Sequence, residues 1–123
     1  MVTRTVLSYA GCSTCRKAIA WLRAHDVDVN VRPIVDEPPT AAELAKWIPR
    51  SELPMQKWFN VSGQSYRALD KEKVRSASDE MKASWLSKDG KLVKRPVLVD
   101  GDTVLVGFDE AKYAQHFSGT KAR

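Results

Sequence analysis

The chain has 123 residues, 43% of them hydrophobic and 28% charged, which fits one globular domain and excludes a disordered class. Its formal charge of +5 comes from Lys and Arg interleaved with Asp and Glu, without a block of about five or more like charges, so the basic balance reads as a solvated surface and not as a nucleic-acid tail. No run approaches the ~18 apolar residues of a membrane span, and the first residues lack a signal-peptide core; a cytoplasmic protein without membrane attachment is expected.

Thr3 to Tyr9 is rich in β-formers and reads as a buried strand ending at Ala10-Gly11. In the helix that follows, to Ala24, Cys15, Ala18, Ile19 and Leu22 share one face, while Arg16, Lys17 and Arg23 point elsewhere. Val27 to Ile34 then alternates Val27, Val29 and Val31 against Asp28, Asn30 and Arg32, the pattern of a strand with one apolar side. Strand, helix, strand at this spacing makes a βαβ unit with parallel strands.

After Pro38-Pro39, Thr40 and Glu43 form a capping box for a helix through Ala41 to Ile48. From Pro49 to Leu69, Pro54, Asn60 and Gly63 break the segment into short helices and a turn, and Lys71 to Ser76 is weakly helical. Ser78 caps a helix over Asp79 to Ser87, with Met81, Trp85 and Leu86 as its apolar side and Asp89-Gly90 as its stop. Residues from about 40 to 87 are therefore expected to be a helical insertion within a single domain, 1–123. Val97-Leu98-Val99 and Thr103 to Val106 flank Asp100-Gly101-Asp102 as an antiparallel hairpin. A helix from Asp109 to Phe117 closes the fold, with Ala111, Tyr113, Ala114 and Phe117 apolar, and Ser118 to Arg123 is expected to fray. The predicted class is α/β: a mixed sheet built as βαβ, helices, ββα.

Both cysteines of the chain, Cys12 and Cys15, fall in the loop between the first strand and its helix. If Gly11 turns the chain and the helix starts near Cys12 or Ser13, the Cys12 sulfur lies beside unpaired N–H groups and the positive end of the helix dipole. A thiol so placed can have its pKa lowered from about 8.5 into a range of roughly 3.5–7.5, which makes thiolate available at neutral pH. Cys15 lies one turn further on the same face, within reach for a Cys12–Cys15 disulfide. Reducing surroundings favour a catalytic or sensing role for such a pair over a permanent bridge. Two other readings stay open: small core hydrophobes, or a metal site, for which His25 and His116 would make a marginal ligand set. His25 otherwise reads as a helix-end residue, and Trp21, Trp47, Trp58 and Trp85 as core or groove residues.

Cys12-Ser13-Thr14-Cys15-Arg16-Lys17-Ala18, Pro38-Pro39-Thr40, Phe59-Asn60-Val61-Ser62-Gly63 with Tyr66-Arg67, Lys94-Arg95-Pro96-Val97 and Val104-Leu105-Val106-Gly107-Phe108 together resemble the ArsC/Spx family, the arsenate-reductase-like proteins of thioredoxin-like fold. The resemblance spans nearly the whole chain and is nearest the Spx/MgsR and YffB-like branches. It implies that Cys12 is the nucleophile, Arg95 an arginine beside the active site, Pro96 a cis-proline facing the cysteine loop, and Arg67 a second oxyanion-binding arginine. With Gly11, Ser13, Thr14 and Arg16 of the cysteine loop, these are the candidate substrate-binding residues. Guanidinium groups at 67 and 95 suit an oxyanion or an anionic thiol such as glutathione. The glutaredoxin-dependent arsenate reductases carry a third arginine where this chain has Gly107, and they lack a cysteine at the position of Cys15.

Three functions follow as expectations. The first is a thiol-disulfide oxidoreductase, with no bound cofactor or metal and with glutathione or another thiol reductant as co-substrate. The second is a redox-sensing transcription regulator that binds RNA polymerase, since the sequence shows no DNA-reading helix of its own. Arsenate reduction ranks third. A monomer is expected in each case.

Overall fold

Strand β1, Thr5–Ser8, lies inside a four-stranded sheet of order β2-β1-β3-β4, between β2 (Asn30–Pro33) and β3 (Val97–Asp100), with β4 (Thr103–Val106) at the far edge. The computed structural model describes residues 4–118. The β1–β2 pairing is parallel, with Thr5 opposite Asn30, and the β1–β3 and β3–β4 pairings are antiparallel, with Val6 opposite Leu98 and Leu98 opposite Leu105. Gly101 occupies the hairpin turn at φ +60, a left-handed value that residues with a Cβ rarely adopt.

Side chains alternate across each strand and divide the core in two. Val6 and Leu98 face α1 (Ser13–Ala24) and α6 (Glu110–Phe117), which contribute Ala18, Trp21, Leu22, Tyr113 and Phe117. Leu7, Val97 and Val104 face the opposite way, against Leu44, Trp58 and Leu86 from the helical insertion. Each fully buried side chain of this size contributes roughly 1.5–3 kcal/mol relative to exposure. This is the expected thioredoxin-like arrangement, βαβ leading and ββα closing around a mixed sheet.

The insertion comprises α2 (Ala41–Ser51), α3 (Gln64–Arg67), α4 (Lys71–Ser76) and α5 (Asp79–Lys88), with tight turns at Met55–Trp58 and Gly90–Leu92. Its first helix opens on the predicted capping box: Thr40 Oγ1 accepts the Glu43 N–H at 3.0 Å, and Glu43 Oε1 accepts the Thr40 N–H at 2.9 Å. Glu43 also holds Arg32 of β2 through two bonds of 2.8 and 2.9 Å, while Arg32 donates to the carbonyls of Glu37 and Pro38. The insertion is thereby tied to the edge strand it follows.

Four expectations are corrected. The second strand pairs only over Asn30–Pro33; Val27 and Val29 pack partly against the α1–α6 core without ladder bonds, and Val31, on the edge strand, is 51% exposed. Helix α2 does not stop at Ile48 but runs through Pro49. Proline there removes a single bond, to a carbonyl in an exposed turn, and the helix ends where Glu52 turns left-handed and returns its N–H to the Pro49 carbonyl. The apolar side of α5 is narrower than read, because Met81 is exposed and Leu86 supplies the buried contact. In α6, Tyr113 and Phe117 are buried while Ala111 and Ala114 face outward. The expected start of β1 at Thr3, and all but the first residue of the tail at Ser118 to Arg123, lie outside the described residues.

Candidate active site

A tight turn carries the chain from β1 into α1, closed by the Cys12 N–H bonding the Tyr9 carbonyl at 3.0 Å. Gly11 sits beneath the Tyr9 ring, where an added Cβ would stand 3.0 Å from Cε2. Cys12 is the N-cap residue of α1, and its sulfur accepts the Cys15 N–H at 3.3 Å. Its side chain therefore satisfies one of the orphan donors at the helix start, where the dipole favours negative charge. Ser13 and Thr14 are exposed in the first turn.

The two thiols differ in acidity. Burial raises the Cys12 pKa, but hydrogen bonds from the Cys15 thiol and N–H, with the hydrogen bond and charge of Arg95, outweigh it and hold Cys12 below the ordinary thiol value. Cys15 is fully buried on the inner face of α1, and its pKa is pushed up to about 11 by burial, by its hydrogen bond to Cys12 and by the Cys12 charge. Both cysteines are free thiols here.

Arg95 follows Lys94 at the entrance to β3. Its guanidinium lies 4.9 Å from the centroid of the Tyr9 ring, and Nη1 donates to the Lys91 carbonyl at 3.3 Å. Its Nε is buried without a partner. The Arg95–Pro96 peptide bond is cis, and the Pro96 carbonyl accepts the Gly107 N–H at 2.8 Å.

Above Cys12 opens a cavity of about 660 Å³. Ser13 and Thr14 form one wall, the Asn60–Gly63 turn a second, Lys94 and Arg95 a third, and residues 106–109 with Lys112 the last. The ammonium groups of Lys94 and Lys112 have no ion-pair partner among the described residues. The one carboxylate on the wall, Asp109, caps α6 by accepting the N–H groups of Ala111 and Lys112. The cavity is thus positively biased and open to an anionic group beside the sulfur.

Of the residues singled out in the sequence, Cys12, Ser13, Thr14 and Arg95 meet at this cavity, with Cys15 beneath it. Gly11, Pro96, Arg16 and Arg67 do not line it. The Arg16 guanidinium donates to the Ala10 carbonyl at 2.6 Å and so braces the turn, and Arg67 is exposed at the end of α3. The wall at 106–109 supplies Val106, Gly107, Phe108 and Asp109, none of them a guanidinium, and Gly107 has φ +79. Sequence reading missed Lys94, Asp109 and Lys112; the acid-then-lysine spacing at the start of a helix was the available sign for the last two. His25 stacks on Trp21 with centroids 3.8 Å apart, and His116 bonds Asp100, away from the thiols. Among the described residues, no group of three or more His, Cys, Asp or Glu is placed to hold a metal ion, and no helix is long and apolar enough to cross a membrane.

Comparison with known proteins bears on the same residues. YusI of Bacillus subtilis is 40% identical over 111 residues, covering 89% of this chain and 94% of its own. The regulatory protein MgsR of the same organism is 29% identical over 105 residues, covering 85% and 82%. A crystal structure of an ArsC-family-related protein from Bacteroides fragilis superposes with a TM-score of 0.89 at 41% identity, covering 93% of this chain and 97% of that one. The model of the ArsC family matches residues 7–116, from β1 through nearly all of α6 and including every wall of the cavity. With the family model spanning residues 7–116 and both YusI and the Bacteroides fragilis structure alike over most of the chain, the chain belongs to the ArsC family.

Proposed function

We propose that the protein is a thiol-disulfide oxidoreductase in which Cys12 attacks and Cys15 resolves. The observation that carries the reading is the placement of Cys12 at the N-cap of α1, its sulfur accepting the N–H of buried Cys15 at 3.3 Å, with Cys12 held below and Cys15 above the ordinary thiol value. In the first step the Cys12 thiolate attacks one sulfur of a disulfide, forming a mixed disulfide and expelling the other sulfur as thiolate. In the second, the Cys15 sulfur attacks Cys12, a Cys12–Cys15 bond forms, and the remaining substrate sulfur leaves with the proton that Cys15 gives up. Glutathione, as two molecules, or a dithiol then returns the pair to two thiols.

The lowered thiol suits attack because the thiolate is the nucleophile, and a high Cys15 pKa keeps the resolver silent until it is needed. Two of the influences that raise Cys15, its bond to the Cys12 sulfur and the Cys12 charge, vanish once Cys12 enters the mixed disulfide. Attack by the first sulfur thus frees the second to ionise. Lys94, Arg95 and Lys112 bias the cavity toward substrates with carboxylates near their sulfur, glutathione among them.

The test uses two variants with a small disulfide as substrate. Cys12→Ser is expected to abolish turnover, and Cys15→Ser to accumulate a mixed disulfide at Cys12, seen as a mass increase by intact-protein mass spectrometry. Wild-type reductase activity in both, with glutathione or a dithiol as donor, overturns the reading.

A second reading is favoured by the likeness to MgsR, a regulatory protein. Here the Cys12–Cys15 bond is a sensor, and the cytoplasmic partner is RNA polymerase, as the family resemblance implies. Pull-down with polymerase under oxidising and under reducing conditions separates this from the enzyme; association that ignores redox state removes it. Arsenate reduction has less support, since Arg95 is the one guanidinium lining the cavity.

A further inference from the structure

One aromatic residue touches both the cysteine loop and the arginine of the site, and the chemistry above makes no use of it. Tyr9 follows β1 two residues after Leu7 and packs partly against the core on the insertion side of the sheet. Its backbone carbonyl closes the cysteine turn by accepting the Cys12 N–H at 3.0 Å. Its ring covers Gly11: the three atoms that a Cβ at Gly11 would meet first all belong to Tyr9, Cε2 at 3.0 Å, Cζ at 3.3 Å and the hydroxyl oxygen at 3.5 Å. Gly11 does not have a left-handed φ, so the ring and not the backbone turn is what leaves no room for a side chain there. The same ring has the Arg95 guanidinium over it, Cζ standing 4.9 Å from the centroid. Arg95 lines the cavity above Cys12, whereas Tyr9 does not. The Tyr9 hydroxyl makes no hydrogen bond to another described residue.

We propose that Tyr9 is a positioning residue for Arg95: its ring presents the guanidinium to the cavity above Cys12, where it meets the anionic group of a disulfide substrate. The inference rests on the dithiol reading above. An arginine side chain is long and flexible, and the 3.3 Å bond from Nη1 to the Lys91 carbonyl fixes it only at one end of the guanidinium. Nε is buried and has no hydrogen-bond acceptor. The negative face of the ring attracts the guanidinium without consuming an N–H, so the group is held while its free donors stay open to a carboxylate. A carboxylate in place of the ring would hold Arg95 equally well but would cancel its charge. Because the Tyr9 carbonyl also bonds the Cys12 N–H, one residue sets both the turn that carries the nucleophile and the cation that receives the substrate. Tyr9 makes and breaks no bond: the Cys12 thiolate forms the bond to one substrate sulfur, the other sulfur leaves as thiolate, and Arg95 holds the anionic group meanwhile. Glycine at 11 is the space this arrangement requires.

Attack on a charged and on a neutral disulfide separates this role from packing. The dianionic disulfide of thionitrobenzoate and the neutral disulfide of thiopyridine each release a chromophore when Cys12 attacks. The ratio of the two second-order rate constants at one pH cancels any change in the acidity of Cys12, to which Arg95 also contributes. Tyr9→Leu is expected to lower the ratio of anionic to neutral rates by about fivefold at low salt, and Tyr9→Phe, which keeps the ring, to leave it within about twofold of wild type. Arg95→Gln lowers the ratio too, and Tyr9→Leu added to Arg95→Gln lowers it no further, because the ring then has no cation to place. Gly11→Ala is the milder variant: it retains the packing of Tyr9 but pushes on the ring, and it lowers the ratio only while Arg95 is present. A merely structural role would slow both disulfides alike. A ratio unmoved in both Tyr9→Leu and Gly11→Ala, an equal fall with and without Arg95, or a fall in Tyr9→Phe as large as in Tyr9→Leu overturns this inference alone. A wild-type protein that attacks neither disulfide overturns the dithiol reading and this inference with it.

Discussion

Limited alkylation of the unmodified protein reads the asymmetry of the cysteine pair directly. Cys15 has its pKa pushed up to about 11, and Cys12 lies below the ordinary 9.0. At any pH under about 9, a separation of at least two pH units makes the Cys12 thiolate fraction at least about 100-fold larger. The less basic thiolate is the weaker nucleophile, by about tenfold across that interval. A preference of about tenfold or more for Cys12 remains before access is counted, and access widens it, since Cys15 is fully buried and Cys12 only partly so. The assay treats the reduced protein with substoichiometric iodoacetamide at about pH 6.5. Both cysteines fall in one tryptic peptide, residues 5–16, so the label must be located from fragment ions that divide Cys12 from Cys15. Label on Cys12 in at least about nine molecules of ten is expected. Equal labelling, or label first on Cys15, would refute the placement of Cys12 as the capping residue that receives the Cys15 N–H.

Gly90→Ala is expected to destabilise the fold by about 3 kcal/mol in urea titration, the upper part of the overpacking range, because the added Cβ would fall 1.9 Å from the Ile34 carbonyl oxygen, a backbone atom that cannot swing aside. Glu43 has its pKa lowered by the hydrogen bond from Arg32, so its contribution is present above its ordinary value of 4.5 and is lost as pH falls below it. Unfolding midpoints of Glu43→Gln should accordingly be lower than wild type at neutral pH and converge with it in acid; a constant difference would refute the assignment. Lys94→Gln with Lys112→Gln is expected to slow attack on a dianionic disulfide by about tenfold at low salt and to leave attack on a neutral one within about twofold. Equal slowing of both substrates would show that the cavity charge does not select.

What the sequence made legible was local. The capping box at Thr40 and Glu43, the turn at Gly101 and the cysteine loop are each written within a few residues, and each forms as read. The extent of β2 was not legible from alternation, because a period of two shows which side is apolar but not whether a neighbour covers it; at the sheet edge Val31 stays about half exposed among the described residues. The cavity was legible in part. Cys12 and Arg95 are far apart in sequence, and the β1–β3 pairing brings them together. Lys112 reaches the same space only because α6 returns across the face that α1 also occupies. Arg67 illustrates the converse, since it stands four residues from cavity-lining Gly63 yet points to solvent from a single helical turn.

The clasp of Arg32 on Glu43, Glu37 and Pro38 has a consequence for encounters between copies of the chain. β2 is an open sheet edge, and unpaired backbone groups along such an edge invite a strand from another molecule. This edge is only four residues long, ends in Pro33, which has no N–H to offer, and carries a guanidinium held across the turn that follows. An incoming strand would meet a short, interrupted ladder and would have to displace a side chain anchored at four points. The same residue that fastens the insertion to the sheet thus guards the sheet against intermolecular pairing, even with Val31 left half exposed beside it.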